Sequence, residues 1–366
     1  MLSSVIGEMI KQGGTCRILA MRDGQLVNVL EGLGATVSVL GSTAPPNYKH
    51  GRLALLRSAF SLLQFNLRTV RRTVHWLKAS GGAGAIVRMP NLVPLAAFAG
   101  CLARVPVYWI MPNAVSNSYF LHLNKVVYEL LVVFCRLRVI ANSAYTASTL
   151  LNWFRPPQIL HLGVNSNEFP NRAINISLRR SMGIKEDSFV IGIFARLIEE
   201  KGQEALIRAL PTILSKHPSV VAILVGGGET PLYEAQLENL AEEIGVRENV
   251  VFAGPRADVS ALYGLCDFTA SLRITPEPFG LSIIESMMAG RPVLANAAGA
   301  PGETIIDGRT GWLIPEVTPE SVAQGVTRAM EDVSKWNAMG ACAAEHARDK
   351  YDVSVVVRNL RRMLPL

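Results

Sequence analysis

Two short segments concentrate the residue types that handle phosphate and hydroxyl groups. The first is GIFARLIEEKG at 192–202: an apolar run ends near Phe194, Arg196 and Lys201 follow, and a helical pattern opens at about Gln203. Free N–H groups at a helix start with two cations beside them make a diphosphate site. The plain alternative is a pair of solvated loop charges. The second segment is TPEPFGLSIIE at 275–285, where Pro276 and Pro278 stiffen a loop, Gly280 permits close backbone approach and a helix follows to about Ala289. Glu277 lies in the loop, and Glu285 lies roughly one and a half turns into the helix. Carboxylates so placed accept hydrogen bonds from ligand hydroxyls while backbone N–H groups hold phosphate. Complementing the helix dipole would explain Glu277 but not an inward Glu285. Two carboxylates also suit a glycoside hydrolase, but the neighbouring cations favour phosphate.

These segments need a frame that repeats strand, turn and helix. Apolar runs at 15–20, 36–40, 85–87, 107–110 and 139–141 read as buried strands, and a second set follows at 189–194, 220–225, 250–252, 268–271 and 292–295. Helical patterns such as 203–216 and 229–244 fall between them. Alternation of this kind predicts βαβ units and mostly parallel sheets with helices on both faces. Two such sets predict two doubly wound domains, with a boundary in the polar stretch Asn165–Asn175, which includes Pro170 and Asn171. Ligands of parallel sheets bind beyond the carboxyl ends of the strands. The glycine run Gly226–Gly228 stands at one such end, and the glycine-rich stretches 298–304 and 307–311 read as tight turns.

Composition limits the rest. The 366 residues are 49% hydrophobic and 18% charged, which predicts packed domains rather than disorder and excludes collagen, coiled-coil and disulfide scaffolds. Mean hydropathy is +0.27, yet the most apolar stretch, 126–134, is far short of the ~20 residues a spanning helix needs. The first residues lack a basic segment followed by an apolar one, so no signal peptide is expected. The five cysteines sit singly without a CxxC or a histidine cluster. They predict reduced thiols, a cytoplasmic setting and no metal site. Charge is uneven: residues 1–170 carry 16 Lys and Arg against 5 Asp and Glu, while residues 171–366 carry 20 against 24. The basic half is expected to face something anionic. Its richest segment, Lys49–Lys78, sets Arg57, Arg68, Arg71 and Arg72 among Phe60, Leu63, Leu67 and Trp76. Such a stretch either lies on an anionic membrane surface or is a core helix with a solvated basic face. No nucleic-acid motif appears, and nucleic acid is not expected as a partner.

Taken in order, the segments of the second half resemble the retaining glycosyltransferases of the GT-B fold, family 4 (group 1). The resemblance runs through GIFARLIEEKG, the GGG turn, VFAGPRADVSALYGLCDF (251–268), TPEPFGLSIIESMMAGRPV (275–293) and GWLIP (311–315). Glu277 and Glu285 carry the family's Glu-x7-Glu spacing. In the first half, VIANS (139–143), HLGVN (161–165), MRDGQL (21–26) and GATVSV (34–39) fit more loosely.

The resemblance implies an α/β GT-B architecture of two Rossmann-like domains. These would be an acceptor-side domain at 1–168, a nucleotide-sugar domain at 169–350, and a final helix at 351–366 returning to the first. It also implies roles. Arg196 and Lys201 would bind the donor diphosphate, Glu277 the sugar hydroxyls and Glu285 the ribose. Backbone N–H groups of Phe279, Gly280 and Leu281 would meet sugar or phosphate, with Gly226 beside them and the backbone around Arg256 lining the base pocket. The reaction implied is metal-free, retaining transfer from a UDP- or GDP-sugar to a glycan or lipid-linked acceptor, as in cell-surface polysaccharide or glycolipid synthesis at the cytoplasmic membrane face. Two departures accompany it. The first domain lacks the family's first strand, so an N-terminally truncated domain with unpaired neighbouring strands is expected. Pro112 stands where many relatives carry a donor-contacting histidine. The other readings are a protein that binds nucleotide sugar without transferring it and a sugar-nucleotide epimerase.

Overall fold

The computed structural model describes residues 2–41, 52–116, 123–169, 174–228 and 230–364. Lys49, Pro170 and Asn171 lie outside the described residues, as do the side chains of Arg57 and Phe60.

Two compact units form: Met1–Gly163 with Val353–Leu366, and Val164–Asp352. The first unit contains α1 (Leu2–Lys11), β1 (Arg17–Ala20), α2 (Gln25–Gly32), β2 (Thr36–Val39) and α3 (Arg52–Ser80). It continues with β3 (Ala85–Val87), α4 (Val93–Ala103), β4 (Val107–Met111), α5 (Asn124–Phe134), β5 (Arg138–Ala141), α6 (Ala144–Ser148) and β6 (Gln158–Ile159). The second holds α7 (Ile176–Ser181), β7 (Phe189–Phe194), α8 (Gln203–Leu214), β8 (Val220–Val225), α9 (Pro231–Glu243), β9 (Val250–Gly254), α10 (Val259–Leu262) and β10 (Phe268–Ser271). It ends with α11 (Leu281–Met288), β11 (Val293–Asn296), α12 (Pro301–Thr304), β12 (Gly311–Ile314), α13 (Pro319–Glu331) and α14 (Trp336–Tyr351). The last helix, α15 (Val353–Met363), belongs to the first unit.

The first unit's strands are all parallel but lie in two pieces, β1-β2 and β3-β4-β5-β6. Among the described residues no strand pairs with the second edge of β1 or of β3. The half-exposed Ile86 on β3 reflects that open edge. On β4 the strand period of two is plain: Val107, Trp109 and Met111 face the cluster with α4 and α5, while Tyr108 faces the one with α1 and α15.

The second unit has one six-stranded parallel sheet in the order β12-β11-β10-β7-β8-β9. Its central strands β7 and β8 are apolar along their whole length because helices cover both faces. Ile191, Ile193, Ala222 and Leu224 pack against α8, α9 and α13, with Phe268 and Trp312 stacked edgewise at 5.6 Å. Arg179 is buried and fully engaged, donating to the carbonyl of Leu265 (2.7 Å) and to Asp267 (2.7 Å), whose carboxylate also accepts the Val190 N–H. That network ties the start of β7 to the start of β10. Strand order reverses between these two neighbours (Phe268 beside Ile191), so their carboxyl ends open a crevice at the switch point.

The unit boundary falls at Gly163/Val164, a few residues earlier than the Asn-rich stretch suggests. The reason is pairing: the Val164 N–H donates to the Tyr351 carbonyl (2.9 Å) and the Ser166 N–H to Asp352 (3.3 Å), fastening the entry of the second unit to its exit. The strands β6 and β12 were not among the predicted runs. The first is two residues long, and the second begins with a glycine that reads as turn.

Candidate active site

The crevice at the switch point is built by the loops leaving β7 and β10. From β7 the chain passes Ala195, exposed Arg196 and a short turn at Glu199–Lys201, and Gly202 then opens α8. Gly202 has φ +70, and a Cβ there would sit 2.0 Å from the Leu272 carbonyl oxygen. Glycine is therefore required for the two loops to touch. Buried Gln203 donates to the Arg196 carbonyl (2.8 Å) and so holds the loop down. Gly226, φ +145, closes the same end of the sheet: a Cβ on it would lie 2.0 Å from the Ala195 carbonyl oxygen, and its N–H donates to Gly254 (3.0 Å).

From β10 the chain passes Arg273, Thr275 and Glu277 before Gly280, φ +82, caps α11. Glu277 is fixed at both ends. Its N–H donates to the Ala298 carbonyl and its carbonyl accepts from Ala300, with Gly299 (φ +90) packed so closely that a Cβ would meet the Glu277 backbone at 2.5 Å. Its carboxylate, 12% exposed, sits between two cations: Lys201 Nζ at 3.0 Å and Arg273 Nη1 at 3.4 Å. Arg273 also donates to Glu200 (2.7 Å) and Thr275 Oγ1 (3.0 Å), and Thr275 donates to Glu200 (2.5 Å). The Thr275 hydroxyl, and then Arg273, hold the Glu200 carboxyl below its ordinary value. Asn296 at the end of β11 fixes the Arg273 carbonyl at 2.8 Å.

Glu285 lies on the inward side of α11. Its Oε2 accepts from the hydroxyl of Tyr263 (2.9 Å), which is fully buried and stacked on Phe194 with 3.8 Å between centroids. Burial raises the Glu285 carboxyl above the usual range, and the Tyr263 hydrogen bond opposes that rise. Desolvation is the larger of the two effects, the carboxyl being packed beside the buried Tyr263 ring.

The structure thus brings Lys201 and Glu277 into contact and sets Arg196 and Gly226 on adjoining strand ends. Glu285 is engaged separately, with Tyr263. Leu281 is the first residue of α11, where its N–H is one of the helix's unsatisfied donors. The Phe279 side chain is 3% exposed and edge-on to Tyr351 at 6.1 Å, so only its backbone can serve a ligand. The Arg256 guanidinium is committed to Asp258 through two bonds of 2.8 and 2.7 Å on the turn after β9. Sequence reasoning missed Arg273, Glu200, Thr275, Tyr263 and Gln203. The signal for Arg273 was its position, a cation two residues past a strand and four before Glu277. Tyr263 carried no signal beyond membership of an apolar run.

Residues 175–346 match the family of glycosyl transferases group 1. That stretch of the chain is a group 1 glycosyl transferase domain. The chain is 30% identical over 221 residues to the GDP-mannose-dependent alpha-(1-6)-phosphatidylinositol monomannoside mannosyltransferase of Mycolicibacterium smegmatis, an alignment covering 57% of each. The chain spans about half the length of the curated relatives it matches. Among solved structures, Anabaena HepE in complex with UDP and glucose is 25% identical with a TM-score of 0.77, over 99% of this chain and 94% of that one. A glycosyltransferase from Rickettsia africae has a TM-score of 0.83 at 16% identity, covering 98% and 92%. The pair of Rossmann-like units is that of the GT-B glycosyltransferases.

Proposed function

We propose that the protein is a nucleotide-sugar-dependent, retaining hexosyltransferase whose donor lies at the carboxyl ends of β7 and β10. The observation that carries this reading is the Lys201–Glu277 pair seated beside the helix starts at Gly202 and Gly280. A cation and helix N–H groups suit a diphosphate, and a carboxylate next to them suits sugar hydroxyls. Arg196 and Lys201 bind the diphosphate and stabilise the charge that grows on it as the sugar leaves, with no metal required. Glu277, freed from Lys201 when phosphate takes that ammonium, turns its oxygens to the sugar. Glu285 holds the ribose with the oxygen that Tyr263 leaves open. Phe279, Gly280 and Leu281 contribute backbone N–H groups, and the Arg256 turn borders the base.

HepE is described in complex with UDP, and the mycobacterial relative as GDP-mannose-dependent. The donor proposed is accordingly a UDP- or GDP-hexose. The acceptor proposed is a glycan or a lipid-linked molecule of a cell-surface polysaccharide or glycolipid, with the protein working at the cytoplasmic membrane face. The test is a thermal-shift screen against UDP, GDP, ADP and their hexose conjugates without metal. A selective rise, lost in Arg196→Ala and Lys201→Ala, is expected, since a ligand of the native state raises the melting temperature by mass action. A flat screen from folded protein overturns the donor site. Pro112, standing where the family resemblance expects a donor-contacting histidine, favours a second reading: donor binding without transfer. Binding with no released nucleotide, with acceptor supplied, would decide for it.

A further inference from the structure

Exposed apolar side chains are unevenly spread. Of the twenty-one large ones exposed among the described residues, seventeen lie in the first unit. Many of these fall on one helix layer. Helix α3 packs along α4, and α4 meets α5, where the Cys101 thiol lies 4.0 Å from the Phe134 carbonyl oxygen. The inner sides of α4 and α5 belong to the sheet core. Their outer sides carry pairs at i and i+4 spacing: Phe98 (55% exposed) with Leu102 (62%), and Leu130 (47%) with Phe134 (73%). On α3, which packs along α4, Leu67 is also exposed, at 52%. The loop after α6 is drawn against α5 because the Asn152 N–H donates to Glu129 (2.8 Å), and it presents Trp153 at 63%.

The charges on the chain segments that carry these side chains are almost all of one sign. Residues 32–167 contain thirteen Lys and Arg but a single acidic residue, Glu129, and that one is 4% exposed. Arg68 and Arg71 are exposed on α3. Exposed Arg104 and Arg136 stand just past the ends of α4 and α5, both with positive φ (59° and 52°). Apolar side chains on helices whose exposed charges are cationic are matched by a surface that offers hydrocarbon under a layer of negative charge.

We infer that the outer face of α3, α4 and α5, with Trp153, docks on an anionic lipid bilayer. Phe98, Leu102, Phe134 and Trp153 enter the headgroup boundary, and the arginines meet lipid phosphates. A second copy of the chain would bring two faces of the same sign together, which is repulsive. Nucleic acid would use the cations and leave the apolar side chains in water. Among the described residues no helix is long and apolar enough to cross a membrane, so the attachment is interfacial. The inference deepens the membrane-surface part of the proposed function and rests on no donor assignment, so lipid binding and nucleotide binding succeed or fail separately.

The full chain is sedimented with vesicles of phosphatidylcholine alone and of phosphatidylcholine with phosphatidylglycerol, at low and raised salt. Binding is expected only with the anionic lipid and is expected to weaken with salt. Leu102→Glu with Phe134→Glu should lower the vesicle partition coefficient at least about tenfold, because two apolar anchors become anions. The melting temperature and the nucleotide-induced shift should stay unchanged. Arg68→Gln with Arg71→Gln should remove much of the salt-sensitive part while sparing the core. No sedimentation with anionic vesicles, or equal binding by the wild type and the double-glutamate variant, overturns the inference. So does a concentration-dependent dimer that the glutamates dissociate without any vesicle binding.

Discussion

Arg273→Ala is the sharpest perturbation of the site. Arg273 reaches Glu200 at 2.7 Å, Thr275 at 3.0 Å and Glu277 at 3.4 Å, with its own side chain 20% exposed. An exposed ion pair contributes about 0–1 kcal/mol, while breaking a fully buried one costs about 3–5 kcal/mol. The partners here are 12% and 40% exposed, and the Glu277 contact is long. An intermediate loss of about 1–2 kcal/mol is expected, which for a unit of this size lowers the melting temperature by roughly 2–8 °C. The functional effect should be larger than the structural one. Without Arg273, Lys201 becomes the single cation paired with Glu277 among the described residues, so it is released to phosphate less readily, and the carboxylate loses its second anchor. A fall in kcat/KM of about ten- to a hundredfold is expected, equivalent to about 1.4–2.7 kcal/mol. Arg273→Lys should recover only part of it, since one ammonium cannot span Glu200, Thr275 and Glu277 together. Calorimetry and steady-state kinetics with a nucleotide-sugar donor read both effects. A variant that melts lower yet turns over at the wild-type rate would show that Arg273 braces the loop and has no part in the chemistry.

Three other outcomes follow from the same geometry. Gly202→Ala should cost about 2–4 kcal/mol in urea unfolding, because the new methyl collides with the Leu272 carbonyl at 2.0 Å and the φ of +70 is strained for alanine. Tyr263→Phe removes the donor to Glu285 from a fully buried position. It should lower stability by about 1–2 kcal/mol and raise the Glu285 pKa further, read by the pH dependence of unfolding. Glu285→Gln should stabilise the protein at neutral pH. The folded-state pKa of Glu285 is raised from 4.5, so the folded protein holds a proton that the unfolded chain has already lost. The penalty is absent below the unfolded value, grows between the two values and is complete above the raised one. The melting-temperature gain of Glu285→Gln should therefore shrink as pH falls to the ordinary carboxylate range, and a gain independent of pH would refute the assignment.

The residues that announce this protein are local ones. The strand runs at 189–194 and 220–225 were legible because a strand buried on both faces is apolar without interruption, and the observed strands β7 and β8 have those bounds, as β10 has those of the shorter run at 268–271. The loop chemistry around Arg196, Lys201, Glu277 and Gly280 was legible because phosphate-holding turns need glycine, cations and a helix start within a few residues of one another. What the sequence could not determine was which of these meet. The Lys201–Glu277 contact joins loops 76 positions apart, and only the placement of β7 beside β10 creates it. Arg273 and Tyr263 acquire roles solely from that adjacency: one is a loop arginine like many others, and the other is an aromatic in an apolar run. The basic half was evident from charge alone, but its docking face was not. An amphipathic pattern cannot say which apolar side chains a helix layer buries and which it leaves outside. That division depends on which neighbouring elements cover each helix, a property of the packed layers and not of the spacing along the chain.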